Sequence, residues 1–314
     1  MEQQTEKNDI AVPLIVFNVA LVGLIVSLGF LIYGVDTTKK HITQQQIVSS
    51  SVVFQTPPIQ AQSFVIFDLK TGKVIAEKDS TVARPLASIT KVMSALVARK
   101  MLPKDSQVVM RKEFLVEEGD SGLRDGEVFK LSDLLDFSLI VSSNDGARSI
   151  ASVAGAFKLK TKDYTLGRTE FIKQMNAEAQ ELGLTTLFFT NETGLDNPTG
   201  TTGGYGSPQE VAKLFGYILK EYPDLLEATH IEREVVRSDR YSHEIVNTND
   251  SLSDIPNVIA SKTGFTNMAG GNLAVVFDAG FGKPVAIVVL GSTTEGRFKD
   301  VVALASSTLR YLAQ

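Results

Sequence analysis

The tetrapeptide Ser88-Ile89-Thr90-Lys91 opens the segment that decides the fold of this chain. Apolar residues recur after it at helical spacing as far as Leu102, and Pro103 follows, which predicts a helix over residues 88–102. Residues three apart on a helix share one face, so the Ser88 hydroxyl and the Lys91 amine are expected to lie side by side. Because a serine hydroxyl needs a base in contact to act as a nucleophile, the spacing predicts a serine nucleophile with a lysine base.

Two further motifs follow in order along the chain. Ser142-Ser143-Asn144 occupies the break between predicted helices over 131–141 and 145–156, and Lys262-Thr263-Gly264 ends a predicted strand. Each motif alone is common in chains of this length. A second copy of the last one, Lys70-Thr71-Gly72, is interpreted as a hairpin turn because it precedes the nucleophile. The order and the context of the three motifs together predict an acyl-transfer site.

Each of these residues has an expected role in acyl transfer through a serine ester. Lys91 can take the Ser88 proton only when it is neutral, which burial and a neighbouring cation such as Lys262 favour. Ser142 is expected to pass a proton to the departing amine. Asn144 is expected to hold a substrate amide.

The other predicted contacts concern negative charge on the substrate. Lys262, Thr263 and Gly264 are expected to form the strand that binds a terminal carboxylate. The backbone N–H groups of Ser88 and Phe265 are expected to form an oxyanion hole, which contributes about 3 kcal/mol in comparable enzymes.

Strand patterns at both ends of the chain, with helical patterns between them, predict the fold. Alternating residues over 63–68 and 74–77 indicate a hairpin with a glycine turn. Further strands are predicted over 257–261, 272–278 and 284–290, and a last helix over 298–311. This order predicts an α/β (α+β) fold in which one antiparallel sheet is closed by the two ends of the chain and flanked by helices.

Composition excludes several other classes of protein. The formal net charge of the 314 residues is −5, so the chain offers no basic field for nucleic acid and is expected not to bind it. Cysteine is absent, which removes disulfides, thiol catalysis and thiolate metal sites. The three histidines lack metal-binding spacing. We therefore expect no metal and no cofactor.

An uncharged apolar run from Ile10 to Tyr33 matches the ~20 residues that cross a bilayer as a helix. No small-residue cleavage pattern follows it, which favours an uncleaved signal anchor over a removed signal peptide. Residues 1–9 are then a short cytoplasmic tail, 34–60 a Thr/Gln/Ser-rich stalk and 61–314 the catalytic domain. The chain is predicted to be a single-pass cell-membrane protein with an extracytoplasmic catalytic domain, although the few lysines around the span mildly oppose this orientation.

The three motifs in this order resemble the signature of penicillin-binding proteins and serine β-lactamases. Their surroundings resemble one family, the serine D-alanyl-D-alanine carboxypeptidases, or low-molecular-weight penicillin-binding proteins. The resemblance runs from about Ala61 to Gln314 and includes Arg84-Pro85-Leu86-Ala87, Asn191–Asp196 and Lys262–Thr266. It implies a β-lactamase/transpeptidase-like fold and removal of the terminal D-Ala from peptidoglycan stem peptides that end in D-Ala-D-Ala. It also implies covalent inhibition by β-lactam antibiotics and a role in cell-wall synthesis and cell shape.

The sequence leaves two interpretations open both for Arg297 and for the Gly-rich stretch 198–206. Arg297 follows the strand expected beside the Lys262–Gly264 strand, where the family commonly has arginine. It either assists carboxylate binding through its planar fork of donors or forms a structural salt bridge. The Gly-rich stretch 198–206 is either a flexible loop beside the cleft or a surface connector.

Three functional alternatives stay open. A class A-like serine β-lactamase needs a carboxylate to activate the deacylating water, and Glu192 is the candidate, although Gly194 favours a turn over the helical loop that this role requires. A membrane-tethered penicillin-binding sensor would be acylated without turnover, but the short segment before the span is too small for an effector domain. Transpeptidation shares the acyl-enzyme and differs only in the acceptor.

Overall fold

The fold is taken from a computed structural model, which describes residues 22–25, 27, 53–119 and 121–314. Residues 22–25 and 27 are helical. The predicted tail, most of the predicted anchor and the predicted stalk up to residue 52 lie outside the described residues. Within the described part of the chain, no helix has both the length and the apolar character needed to cross a membrane.

From residue 53 onwards the described chain forms short and long strands with helices between them. The strands are β1 (Ser63–Asp68), β2 (Lys73–Lys78), β3 (Arg84–Pro85), β4 (Gln107–Val109), β5 (Val128–Lys130), β6 (Phe188–Phe189), β7 (Gly204–Gly206), β8 (Arg233–Arg237), β9 (Ser242–Val246), β10 (Val258–Thr266), β11 (Gly270–Asp278) and β12 (Pro284–Ser292). The helices are α1 (Thr90–Met101), α2 (Leu131–Ile140), α3 (Asn144–Leu159), α4 (Tyr164–Glu181), α5 (Pro208–Glu221) and α6 (Gly296–Leu312).

A five-stranded antiparallel sheet joins strands from both ends of this domain, in the order β10-β11-β12-β1-β2. The register places Val65 of β1 opposite Val288 of β12. The predicted sheet, closed by the N-terminal and C-terminal segments, is therefore confirmed. Strand β10, which carries the Lys262–Gly264 motif, lies at one edge of the sheet.

The two faces of the sheet bury different apolar side chains, because successive residues of a strand point to opposite faces. Val65 and Val288 belong to the larger core, which the sheet shares with helices α1 to α5. Ile66 and Ile287 belong to the smaller core beneath α6, where they meet Leu304. The sheet is thus covered on both faces.

The packed domain begins earlier than the predicted boundary at Ala61. Residues 53–60, predicted as stalk, contain no helix or strand but lie against α6. The Phe54 ring packs edge-on against Tyr311 with ring centroids 5.7 Å apart, and the Gln60 N–H donates to the Asp300 carboxylate over 2.8 Å. These contacts shorten the predicted stalk, because its last residues find apolar and hydrogen-bonding partners on the final helix.

The hairpin β8–β9 lies outside every sequence prediction. Its strands alternate charged and half-buried residues, so the apolar signal is weak, and Val236 and Ile245 are its buried members. Beyond β9 the Thr248 N–H donates to the Ile140 carbonyl at the end of α2. The hairpin therefore leads the chain to the end of the helix that precedes the Ser142–Asn144 motif.

Candidate active site

Ser88 lies in the turn that leads from β3 into α1. Residues Ala87–Ile89 form a single 3-10 turn, in which Ala87 has a left-handed backbone with φ 48°. Gly264 of β10 lies directly against this turn, since a Cβ built there would be 3.1 Å from the Ser88 nitrogen. A left-handed backbone at a residue other than glycine costs about 1–3 kcal/mol and is typical of functional sites. Ser88 therefore stands between a helix start and the edge strand β10.

The Lys91 amine is buried and contacts three acceptors. Its Nζ lies 2.8 Å from Ser88 Oγ, 2.7 Å from Asn144 Oδ1 and 2.9 Å from the Thr193 carbonyl oxygen. Burial lowers the pKa of Lys91 to about 7. A neutral amine has two hydrogens, which serve Asn144 and Thr193, and its lone pair then faces the Ser88 hydroxyl. Lys91 thus has both the position and the basicity that a general base requires.

Lys262 contacts Ser142 and its own strand. Its Nζ donates to Ser142 Oγ and to the Thr263 carbonyl, each over 3.0 Å. Burial first, and then the charges of Lys91 and Arg297, hold the pKa of Lys262 well below its usual range. The sequence prediction named burial and a neighbouring cation such as Lys262 as what favours a neutral Lys91, and burial is the cause that lowers its pKa.

Ser142 occupies a strained break between α2 and α3. Its φ is 62°, in the left-handed region. The next residue, Ser143, caps α3 by accepting a 3.0 Å hydrogen bond from the Gly146 N–H. The cap starts α3 immediately after Ser142, so that the Ser142 hydroxyl reaches Lys262 while Asn144 reaches Lys91. One short break in the helices therefore supplies contacts to both lysines.

Asn144 has a contact that the sequence did not indicate. Its Oδ1 accepts from Lys91, and its Nδ2 donates to the Glu118 carbonyl over 2.6 Å. Both polar atoms of the side chain therefore have protein partners. The amide oxygen keeps a second lone pair for the predicted substrate contact. Asn144 thus fixes the position of the Lys91 amine.

Thr248 lies in the predicted carboxylate site, although the sequence analysis did not single it out. Its hydroxyl is 2.5 Å from the hydroxyl of Thr263 on β10. Two threonine hydroxyls so close together form a small polar cradle beside the Lys262–Gly264 strand. The only signal for Thr248 in the sequence is its place in a short polar stretch, which is no different from that of many surface loops.

Arg297 lies beneath the same strand at the start of α6. It is 9% exposed, and one of its terminal nitrogens donates to the Gly264 carbonyl over 2.8 Å. Burial lowers its pKa, while the charge of Asp250 opposes that shift. No ion pair to Arg297 is found among the described residues, which argues against the structural salt bridge. Its Nε is buried without a hydrogen-bond partner there, so the guanidinium retains donor capacity.

Phe265 and the Gly-rich stretch both adjoin contacts of the Ser88 turn. Phe265 follows Gly264, which touches this turn, and the residue is 48% exposed. The Gly-rich stretch ends in β7, which pairs with β3 immediately before the nucleophile, and the Leu86 N–H donates to the Gly204 carbonyl over 2.9 Å. The end of this stretch is thus a strand that supports the nucleophile turn rather than a flexible loop.

Glu192 does not face the cleft as a β-lactamase base would. Its side chain is fully buried, and Arg168 Nε contacts its two carboxylate oxygens at 2.8 and 3.0 Å. Gly194 has φ 81°, which confirms the predicted turn. Because the carboxylate is held by an arginine, Glu192 is poorly placed to activate a deacylating water.

The geometry agrees with one class of enzyme. A serine at a helix start contacts a buried lysine amine, and a second serine contacts another lysine on an edge strand. These residue types in this arrangement are typical of serine acyl-transfer sites of the penicillin-binding type.

Comparison with known proteins identifies the family within that class. The family model for D-alanyl-D-alanine carboxypeptidases, Peptidase S11, matches residues 50–294, and the chain belongs to this family. D-alanyl-D-alanine carboxypeptidase DacB2 of Mycobacterium tuberculosis is 31% identical over 241 residues, which cover 76% of this chain and 78% of the relative. A D-alanyl-D-alanine endopeptidase of Escherichia coli is 32% identical over 240 residues, with coverage of 74% and 72%. These relationships make the protein a serine-type D-Ala-D-Ala carboxypeptidase, a hydrolase.

Solved structures support the fold. The crystal structure of a D-alanyl-D-alanine carboxypeptidase from Mycobacterium tuberculosis superposes with a TM-score of 0.72 at 29% identity, covering 82% of this chain and 93% of that one. The Streptomyces K15 DD-transpeptidase superposes with a TM-score of 0.74 at 23% identity, covering 83% and 100%, which is evidence for the fold alone. The predicted transpeptidase-like architecture is therefore confirmed for the catalytic domain.

Proposed function

We propose that this enzyme removes the terminal D-Ala from peptidoglycan stem peptides through an acyl-enzyme on Ser88, and that β-lactams acylate the same hydroxyl. The observation that carries the proposal is the 2.8 Å contact between the buried Lys91 amine and Ser88 Oγ. A pKa of about 7 for Lys91 supports it, because about half of that amine is then neutral near pH 7. The relatives' names, which include carboxypeptidases, support the substrate class.

In the proposed acylation, Ser88 Oγ attacks the carbonyl carbon of the scissile peptide bond while its proton moves to Lys91 Nζ. The C–N bond then breaks. Ser142 gives its proton to the departing amine of D-Ala and regains the proton that Lys91 had taken, so that Lys91 is neutral again. In deacylation a water molecule attacks the ester carbonyl while Lys91 takes its proton. The bond between the acyl carbon and Ser88 Oγ then breaks, and Lys91 returns the proton to Ser88 Oγ. Backbone N–H groups of Ser88 and Phe265 stabilise the oxyanion in both steps.

The terminal carboxylate of the substrate is proposed to bind at β10. Lys262 supplies an amine donor, while Thr263 and Thr248 supply two neighbouring hydroxyls. Arg297, which lies below Gly264 and has no carboxylate partner among the described residues, adds positive potential at the same strand. This arrangement predicts a preference for a substrate with a free C-terminal carboxylate.

A release assay tests this function directly. The full chain is incubated with a peptide ending in D-Ala-D-Ala, and free D-Ala is measured for the wild type and for Ser88→Ala. Release by the wild type alone is the expected result. The same peptide with a C-terminal amide serves as the matched control and should react far more slowly. Equal release by Ser88→Ala would refute the assignment of the nucleophile.

Thr248→Val tests the proposed carboxylate site, since it removes a hydroxyl and keeps the shape of the side chain. A hydrogen bond to a charged group contributes about 1.5–3 kcal/mol, so we expect kcat/KM for the D-Ala-D-Ala peptide to fall by about 10-fold or more. Turnover of a small ester without a carboxylate should stay near that of the wild type. Thr308→Val, which removes a buried hydroxyl on α6, is the matched control. Equal losses on both substrates would argue against carboxylate recognition by Thr248.

Membrane attachment is part of the proposal. The uncharged run over residues 10–33 is proposed to anchor the enzyme in the cell membrane with its catalytic domain on the extracytoplasmic side. The composition of the run and the position of peptidoglycan outside the membrane support this placement. Protease treatment of intact spheroplasts should degrade the catalytic domain, and protection of that domain would contradict the orientation.

A further inference from the structure

Four charged side chains of alternating sign lie near Lys91, and none of them takes part in the proposed acylation or deacylation steps. Arg168 of α4 joins Glu192 on one side, through the two short contacts already described, and Glu117 on the other, at 3.7 Å. Arg148 of α3 forms a second ion pair with Glu117. The four residues therefore form one connected chain that links α3, α4 and the two loops that bear the carboxylates.

The depth of Glu192 sets it apart from the other members of this chain. Its side chain is 0% exposed, whereas that of Arg168 is 28% and that of Glu117 is 17% exposed. A buried ion pair is weak evidence for stability, because the cost of desolvation offsets the attraction between the charges. The function of the Arg168–Glu192 pair is therefore inferred from its position and not from its contribution to stability.

The two carboxylate residues each stand next to a backbone carbonyl that holds the catalytic groups. The residue after Glu192 is Thr193, whose carbonyl accepts from the Lys91 amine. The residue after Glu117 supplies the carbonyl that accepts from Asn144, the other partner of Lys91. The charged chain thus fixes two of the segments that surround the base.

The charges around the Lys91 amine come from several elements. Burial lowers its pKa, and the carboxylates of Glu192 and Glu117 oppose that shift. Lys262 on β10 is a second cation close enough for its own pKa to be lowered by the charge of Lys91. Arg168 partly offsets the two carboxylates that it joins. Together these groups leave the pKa of Lys91 at about 7. An acid–base group with a pKa near the working pH transfers protons most efficiently in both directions.

We propose that Glu192 is a positioning residue of this active site: its buried carboxylate, fixed by Arg168, keeps Lys91 able both to take the Ser88 proton and to return it near neutral pH. Glu192 touches no substrate atom in this account and acts only through Lys91. The proposal rests on acylation of Ser88, and the experiment is designed so that the two ideas fail separately.

The test is the pH dependence of the second-order rate of Ser88 acylation by benzylpenicillin, measured between pH 5 and 10 for the wild type and Glu192→Gln. Loss of the carboxylate destabilises the ammonium form of Lys91, so the neutral base persists to lower pH. We expect the acidic limb to move by about one unit toward lower pH, the change that about 1.4 kcal/mol produces. Peptide turnover at pH 8 should stay within about threefold of the wild type, the change that about 0.7 kcal/mol produces.

Two control variants separate charge from structure. Arg168→Lys keeps the positive charge beside Glu192 and should retain the wild-type midpoint. Glu178→Gln removes another buried carboxylate, on α4 and paired with Lys100, and should lower the melting temperature without moving the midpoint. If Glu192→Gln does not fold, Glu117→Gln, whose carboxylate is more exposed, must give a smaller shift in the same direction.

The outcomes are distinct. A parallel loss of rate at every pH in Glu192→Gln, with the wild-type midpoint, would overturn the inference and leave Glu192 a structural residue. A selective collapse of deacylation would also overturn it and would assign Glu192 to the β-lactamase type of role. A wild type that is not acylated at Ser88 would refute the proposed function together with the inference.

Discussion

Replacement of Lys91 by methionine is expected to slow acylation of Ser88 by about 10³-fold, in the middle of the range that general-base catalysis contributes. Methionine has a similar length and tolerates a buried position. It cannot accept the Ser88 proton, and it cannot donate hydrogen bonds to Asn144 and Thr193. The measurement is the rate of covalent labelling by benzylpenicillin at pH 8. Lys100→Met, on the exposed side of the same helix, should label at the wild-type rate. Near-normal labelling of Lys91→Met would show that another group is the base.

The same variant has a second expected signature, in the pH dependence of stability. The pKa of Lys91 falls from 10.5 to about 7 on burial, so between these values the unfolded chain binds a proton that the folded chain lacks. The free energy of unfolding of the wild type therefore gains from this group as pH rises through that window. Lys91→Met lacks this gain, so its stability relative to the wild type should decline from pH 7 to pH 10. A constant difference would contradict a lowered pKa.

Gly194→Ala is expected to displace the backbone segments that position Ser88 and Lys91. Gly194 has φ 81°, and a Cβ there would lie 1.9 Å from the Ala87 carbonyl oxygen. Because Ala87 directly precedes the nucleophile, relief of this clash must move either the 3-10 turn or the Glu192–Thr193 segment that holds Lys91. We expect acylation to fall by at least about 10²-fold, as for misplacement of reacting groups by about 1 Å. The melting temperature should fall by about 10 °C, corresponding to about 3 kcal/mol.

Gly183→Ala is the matched control for that prediction. Gly183 also has a positive φ, 68°, but a Cβ there would meet nothing within 4 Å. It therefore reports the conformational strain alone, which is about 1 kcal/mol. Acylation should be unchanged in this variant. Similar losses in both variants would mean that the contact between Gly194 and the nucleophile turn has no role in activity.

Most of the site could be predicted from side-chain chemistry and spacing. Ser88 and Lys91 share one helix face, so local periodicity was sufficient to pair them. Lys262 could be joined to them only through the order of the motifs, since its contact with Ser142 spans 120 residues. The fold followed from alternation in the long strands, whose buried and exposed positions obey the period of two.

The parts that the sequence did not predict are contacts without a side-chain signature. Thr193 and Glu118 act through backbone carbonyls, which every residue possesses. Thr248 is one polar residue among many, and its importance comes from the strand that it meets. The pairing of Arg168 with Glu192 depends on how α4 packs behind the cleft, and neither residue is unusual in its own segment. The role of residues 10–33 as an anchor stays a prediction.

The most direct test of the account is an intact-mass time course of the full chain with benzylpenicillin, run beside Ser88→Ala and followed by peptide mapping. A lasting adduct on the wild type, located on Ser88 and absent from the variant, is the predicted result. An adduct that persists in Ser88→Ala would contradict the assignment of the nucleophile, and rapid hydrolysis of the drug without a lasting adduct would contradict the carboxypeptidase type of site.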